Sequence, residues 1–257
     1  AILVGNIKGG TGKSTISQEL VYGLRDEGHN VGILDADIDS ANLASRFDTD
    51  ERVTFEGDHT IKPVEVDGVS LYSMENAFDD SSFSQTGEFM GEAVEDMINS
   101  SNWGDLDYLV VDCPPGSSDV FDHLTSALRA NILGMVSVGI SDAIDDTARL
   151  VKVCNHNWVP ILGFVENMSG VYCHGEEVNC ENDGPHPVAP FGKGQTEQLA
   201  ERLGGEFFGS VPLCGEETEI SDAASDTIDS IVEGVETAAE PELPEDNIGN
   251  KSFIRNL

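Results

Sequence analysis

Basic residues are scarce. The 257-residue chain carries 13 Lys and Arg against 48 Asp and Glu, for a formal charge of −35 and a pI near 4.1. That deficit argues against non-specific binding to DNA or to anionic lipid, which needs a basic footprint. The acids are spread along the chain, as in Asp48-Thr49-Asp50-Glu51, Asp79-Asp80 and Glu216-Glu217, and are not gathered in one tail. An evenly acidic, lysine-poor surface suits a protein that works in concentrated salt, where screening removes self-repulsion, and it points to a halophilic source. Long apolar runs are also missing: none approaches the roughly 20 residues that cross a bilayer. No internal repeat is visible. Five cysteines form no regular framework, which favours a reducing cytoplasm over a disulfide-stapled secreted fold. The first residues already read as a strand, so no leader peptide is expected.

Short apolar runs are present in number. Residues 1–6, 31–35, 108–112, 132–138, 161–166 and 207–211 read as buried parallel strands, and 69–72 as a further one. Helical spacing separates them at 13–27, 87–99, 121–129, 143–154 and 196–203. This alternation predicts an α/β fold with a doubly wound, mostly parallel sheet and helices on both faces. Residues 48–68 read as an acidic surface excursion. Residues 167–195 show no clear period, and a loop that long in a compact domain is functional or disordered. From about 239 the composition turns acidic and proline-rich, so 1–238 reads as the folded domain and 239–257 as a disordered tail.

Residues 8–15 carry the clearest chemistry: Lys-Gly-Gly-Thr-Gly-Lys-Ser-Thr, placed between a strand and a helix. A phosphate-binding loop requires that context. Gly9, Gly10 and Gly12 let the backbone turn tightly, so that N–H groups from Gly9 to Thr15, Thr11 included, can face a polyphosphate. The helix beginning near Lys13 adds its positive end. Lys13 reaches the β/γ phosphates and the Ser14 hydroxyl can ligate Mg²⁺. The strict pattern wants glycine where this chain has Ile7, and it has a second lysine, Lys8, at the front of the loop. Two of the chain's six lysines therefore sit in eight residues. The plain alternative is a glycine-rich turn with incidental lysines.

Acids gather after the strands, where ligands bind in an open α/β sheet. Asp35-Ala36-Asp37 follows one strand, Asp112-Cys113-Pro114-Pro115-Gly116 another, and Glu166-Asn167-Met168 a third. Asp112 fits an acid that holds Mg²⁺ directly or through water, and Asp35 is a second candidate. The stiff Pro-Pro-Gly turn can offer the Gly116 N–H to a γ-phosphate. The alternative is that these acids only cap the next helices.

These segments resemble the ParA/MinD class of P-loop ATPases: Lys8 to Thr15 its deviant Walker A loop, Asp35-Ala36-Asp37 its switch I, and Asp112 to Gly116 its switch II. Within the class the chain is similar to the Mrp/ApbC family of iron–sulfur cluster carriers. Val159 to Ser169, Phe191-Gly192-Lys193-Gly194 and Phe207 to Leu213 carry that likeness, which covers nearly all of residues 1–225. The resemblance implies a homodimeric, Mg²⁺-dependent ATPase with client apoproteins; cysteine usage points to the cytoplasm, and the acidic surface disfavours a nucleic-acid partner. It implies that Lys8 crosses to the partner subunit's phosphates, Lys13 binds its own, and Asp37 orients the attacking water. Asn42 would sit on the dimer face, Asn167 on the adenine edge, and the backbone after Pro212 would wall the base.

The family carries Cys-x-x-Cys for a [4Fe–4S] cluster shared across the dimer. Here Cys173 and Cys180 are separated by six residues. Loop thiolates can still converge on one cluster. The alternatives are reduced thiols, a redox disulfide, or a Zn²⁺ site with His174 or His186. Cys113, Cys154 and Cys214 read as structural. At the end of the chain, Phe253, Ile254 and Leu257 share a helical face beside two cations, as in MinD-type membrane-targeting helices. Seven residues are short for that role, and a solvated tail is favoured. The rival function is a MinD/ParA-like positioning ATPase without a cluster.

Overall fold

Ile2, Leu3 and Val4 are all fully buried, yet they face two different cores. A strand alternates its side chains, so a strand apolar on both faces must be sandwiched between helical layers. The computed structural model has this arrangement. It describes residues 1–56, 60–77, 87–116, 119–173, 176–180, 186–214 and 220–239. The expected tail, from residue 240, and its apolar end lie outside the described residues, as do His174 and residues 181–185.

The chain runs β1 (Ile2–Gly5), α1 (Lys13–Asp26), β2 (Val31–Asp35), α2 (Leu43–Arg46), β3 (Thr54–Glu56), β4 (Thr60–Lys62), β5 (Val64–Val66) and β6 (Val69–Tyr72). It continues through α3 (Met74–Ala77), α4 (Gly87–Asn99), β7 (Tyr108–Asp112), α5 (Asp119–Leu128), β8 (Gly134–Gly139) and α6 (Ile144–His156). It ends with β9 (Ile161–Cys173), β10 (Glu176–Glu177), β11 (Asn179–Cys180), β12 (His186–Pro187), α7 (Gln195–Leu203), β13 (Phe207–Cys214) and α8 (Ile220–Thr237). The main sheet has the order β10-β9-β8-β1-β7-β2-β6-β5, with β13 also on β9. Its long pairings are parallel; only β5 on β6 and β10 on β9 are antiparallel.

Helices α1 and α8 cover one face, where Ile16, Leu20, Ile228 and Ile231 pack on Ile2 and Val4. Helices α4, α5 and α6 cover the other, where Val94, Leu124 and Leu150 pack with Leu3. Each fully buried aliphatic side chain stabilises the fold by about 1.5–3 kcal/mol. The predicted doubly wound sheet is therefore present, with β1 at its centre.

Three local predictions change. Strand β9 runs on through 167–173, because Glu166, Asn167 and Ser169 are buried polar residues that break the apolar pattern without breaking the strand. Residues 176–180 and 186–187 form further short strands, so 167–195 is not structureless. Helix α8 lies outside the predicted set, although Ala224, Ile228, Ile231, Val232 and Val235 have helical spacing and are buried. The 48–68 excursion contains the β3–β4 hairpin, with Phe55 70% exposed, before β5 joins the main sheet.

Candidate functional site

The centre of the sheet decides where the site lies. Strand β1 sits between β7 and β8, and Val4 pairs with Asp112 while Asp112 pairs with Asp35. The loop after β1 therefore opens beside both acids. Gly10 and Gly12 have φ of 74° and 87°, which only glycine adopts without strain. Gly12 ends the loop and helix α1 starts at Lys13, where the Ile16 N–H closes on the Gly12 carbonyl. A β-carbon on Gly12 would lie 2.0 Å from the Asn167 amide nitrogen, so Gly12 is required by packing as well as by φ. Gly9 and Gly10 are exposed, and Ser14 and Thr15 are half-buried. The Thr11 hydroxyl is buried with no hydrogen-bond partner among the described residues.

Lys13 is only 7% exposed. Asp112 is buried in front of it; its Oδ1 accepts from the Ser17 hydroxyl at 3.2 Å, and Ser14 also donates to the carboxylate. Burial pushes the Asp112 pKa up to about 6, against the pull of Ser14, Lys13 and Ser17. Asp37 is half-buried; burial raises its pKa and Lys13 draws it back. Lys8 is half-buried, and no carboxylate pairs with it among the described residues. Asn42 is exposed, with its side chain between the Ser40 carbonyl and Arg46.

Two predicted roles change with the geometry. Asp35 reads from sequence as a Mg²⁺ ligand, but both its oxygens are occupied inside the chain. Oδ1 accepts from the Asp37 N–H at 3.1 Å, and Oδ2 accepts from the Asn42 and Leu43 N–H groups and the Ser73 hydroxyl at 3.0, 3.2 and 2.9 Å. It organises the 37–43 turn, whereas the Asp112 carboxylate lies beside Ser14 and Ser17. The Gly116 N–H donates to the Ile7 carbonyl at 2.8 Å, so it reaches a phosphate only when that bond opens.

Asn167 donates to the Thr11 carbonyl at 2.7 Å, tying β9 to the phosphate loop. Pro212 is buried on β13 beside Val211, the register partner of Asn167. Sequence reasoning assigned no role to Glu166. It is fully buried and accepts from Ser141, Ser169 and the N–H groups of Gly194 and Thr196 at 2.6–2.9 Å. Burial alone would raise its pKa, but these bonds outweigh it and hold it low. Its carboxylate thereby caps helix α7 from a distant strand. Asn6 was missed as well. Its amide nitrogen binds the Val138 carbonyl and Thr147, and its oxygen accepts from the Lys8 N–H. A polar residue directly after four buried strand residues was the available signal. Cys173 ends β9, half-buried, and Cys180 lies on β11. Six residues at about 3.3 Å put Cys173 no more than about 20 Å from Asn167. Among the described residues no cluster of three His, Cys, Asp or Glu could hold a metal.

The glycine-rich loop, the buried Lys13 and the carboxylates of Asp37 and Asp112 now lie together at the carboxyl ends of central strands. Residues 1–242 match the model of the ParA family, described as the NUBPL iron-transfer P-loop NTPase. The chain belongs to this family. It is 36% identical over 251 residues to the cytosolic Fe-S cluster assembly factor NUBP2 of Bos taurus, an alignment spanning 94% of this chain and 88% of that one. It is 33% identical over 229 residues to the iron-sulfur cluster carrier protein of Deinococcus radiodurans, spanning 88% of this chain but 63% of that longer one. A nucleotide-binding protein from Archaeoglobus fulgidus, solved in complex with ADP, shares the fold with a TM-score of 0.67, 24% identity and coverage of 94% and 93%. Among the described residues, no helix of this ParA-family NTPase is long and apolar enough to cross a membrane.

The buried acids of this P-loop NTPase predict a pH dependence. Burial, reinforced by the charge of Asp112, raises the Asp35 pKa from 3.8 to about 7; Asp112 reaches about 6. Folded-state values above unfolded ones mean that their contribution is complete below the unfolded pKa and is lost as pH rises through the folded values. Without nucleotide or Mg²⁺, the chain should melt a few degrees higher near pH 5.5 than near pH 8 at constant salt. Asp112→Asn should flatten that slope. Glu166 acts oppositely, but only below the window. Calorimetric melts that are equally stable or more stable at the alkaline end would contradict the assignment.

Proposed function

We propose that the chain is a Mg²⁺-dependent ATPase that works as a cytoplasmic homodimer and carries an iron–sulfur cluster to client apoproteins. The observation that carries this reading is the placement of a two-lysine phosphate loop and a cysteine-bearing strand in direct contact, through Asn167 on the Thr11 carbonyl. Phosphoryl transfer needs positioning and neutralised charge more than covalent chemistry. Lys13, already desolvated, neutralises the phosphates of its own subunit, and the loop N–H groups and α1 hold the remaining charge. Lys8, with no carboxylate partner among the described residues, is available to a second copy. Asp37 orients water at the γ-phosphate. Asn167 and the backbone after Pro212 border the base.

The residues fit Mg²⁺. Ser14 supplies a hydroxyl, and Asp112 is a buried carboxylate beside it whose pKa is raised by burial. Held by these two side chains, the ion would act as a Lewis acid that neutralises charge on the phosphates. The cluster is cargo, and its thiolates would come from Cys173 and Cys180 of two subunits. The related NUBP2 and the bacterial carrier are named for this role.

Anaerobic reconstitution with iron and sulfide tests the reading. One cluster per two chains is expected, with the broad visible absorption of thiolate-ligated iron. Cys173→Ser and Cys180→Ser should each abolish it. Cys154→Ser should not, because that thiol is buried in the core and pushed up to about 12. One zinc per chain and no iron would remove the carrier role and leave a positioning ATPase of the MinD/ParA kind.

A further inference from the structure

Strand β9 bulges in its middle. Its ladder with β13 pairs Val211 with Asn167 and then Leu213 with Val171, so four steps of β9 face two of β13. The excess is taken up at 168–170, where Met168 has φ 57° and Gly170 has φ 102°. A left-handed methionine inside a strand is strained, and such strain persists only where the surroundings over-determine it.

The surroundings are specific on both sides. Upstream, the Asn167 amide holds the Thr11 carbonyl, and Glu166 holds four donors, including the bulge's own Ser169. Downstream, a β-carbon on Gly170 would lie 3.6 Å from Glu177 Oε1 and 3.9 Å from the Val188 carbonyl. Lys193 Nζ holds that same Glu177 oxygen at 3.1 Å. Glu177 pairs with Tyr172, and Glu176 pairs with Cys173. Lys193 directly precedes Gly194, whose N–H binds Glu166. Two routes therefore lead from Glu166 to the Cys173 hairpin: the bulge itself, and the Lys193–Glu177 contact. Both begin beside the residue that touches the phosphate loop.

We propose that the 168–170 bulge is a joint through which occupancy of the nucleotide site sets the exposure of Cys173, with Met168 and Glu166 as positioning residues. A base or phosphate entering the loop competes for the Asn167 carboxamide or shifts Thr11. Either change alters the clamp that keeps Met168 left-handed. The backbone relaxes there, and the strand end bearing Cys173 moves with it. No covalent step is involved. The joint presupposes nucleotide binding at the phosphate loop, as read above, but it does not presuppose a bound cluster.

The test uses the full chain, reduced and metal-free, so that a failure of cluster binding leaves it intact. Alkylation by iodoacetamide is read by mass spectrometry on the Cys173 peptide, with and without saturating Mg–ADP. In the parent, ADP should change the Cys173 rate by about threefold or more, as a population shift between two settings would. Met168→Gly adopts φ 57° without strain and should reduce the response below about 1.5-fold while ADP affinity by calorimetry stays within about twofold. Glu166→Gln should do the same, because an amide puts a donor against the Gly194 or Thr196 N–H. Cys154, fully buried on α6, is the internal control and should stay unreactive with and without ADP in every variant. A parent Cys173 rate indifferent to bound ADP overturns the proposal. So does a full response in Met168→Gly, which stands independently of whether Glu166→Gln folds.

Discussion

Lys13→Ala should weaken ATP binding by roughly 2–5 kcal/mol, or about 30- to 5,000-fold, the range for removing one member of a buried charge pair. The expectation rests on burial. Lys13 is 7% exposed and faces Asp112 and Asp37, so its removal leaves the bound phosphates beside acids with no cation from their own subunit. Salt cannot replace it, because screening acts weakly on buried pairs. Lys8→Ala is the contrast. That side chain is half-buried without a carboxylate partner among the described residues, so binding should change by no more than about twofold. Phosphate release should nevertheless drop sharply, because the cation offered to the second subunit is gone. Calorimetric titration and a phosphate-release assay on both variants separate the two lysines. Parental hydrolysis in Lys8→Ala would remove the dimeric mechanism, and tight ATP binding by Lys13→Ala would remove the phosphate-loop assignment.

Asp37→Ala should keep ATP and hydrolyse it about 10²-fold more slowly or worse, at the lower end of what a positioned base contributes. Asp37 is half-buried two residues past the end of β2, and its backbone N–H is fixed to Asp35 while its carboxylate senses Lys13. The alanine keeps that backbone bond, so the 37–43 turn should survive. Loss of turnover without loss of fold is therefore the expected pattern. With hydrolysis blocked, light scattering should detect an ATP-dependent dimer that outlasts the parent's. A variant that turns over at the parental rate would take Asp37 out of the chemistry.

The glycine-rich loop and the doubly wound sheet were legible because each depends on local rules. Glycine at positive φ, a strand-length apolar run and a lysine at fixed spacing act over a few residues. The hydrogen bonds of Asp35 were not legible because its partners are remote or unremarkable in sequence: the Asn42 and Leu43 N–H groups and Ser73 come together only when β2 and β6 pair. Glu166 went without a role for a similar reason. Its donors at 141, 194 and 196 lie 25 to 30 residues away, and no spacing rule connects a strand carboxylate to a helix terminus at that distance.

The sequence by itself determined the fold class, the family and the loop that takes phosphate, since backbone conformation and apolar period are short-range properties. Only the tertiary structure decided which donors each buried carboxylate finds. A buried acid must find donors wherever the packed chain supplies them, and those donors are chosen by contact and not by order along the chain. It also decided that the cysteine-bearing segment is a continuation of the strand that touches the phosphate loop, because buried polar residues hide a strand from any reading based on apolar pattern.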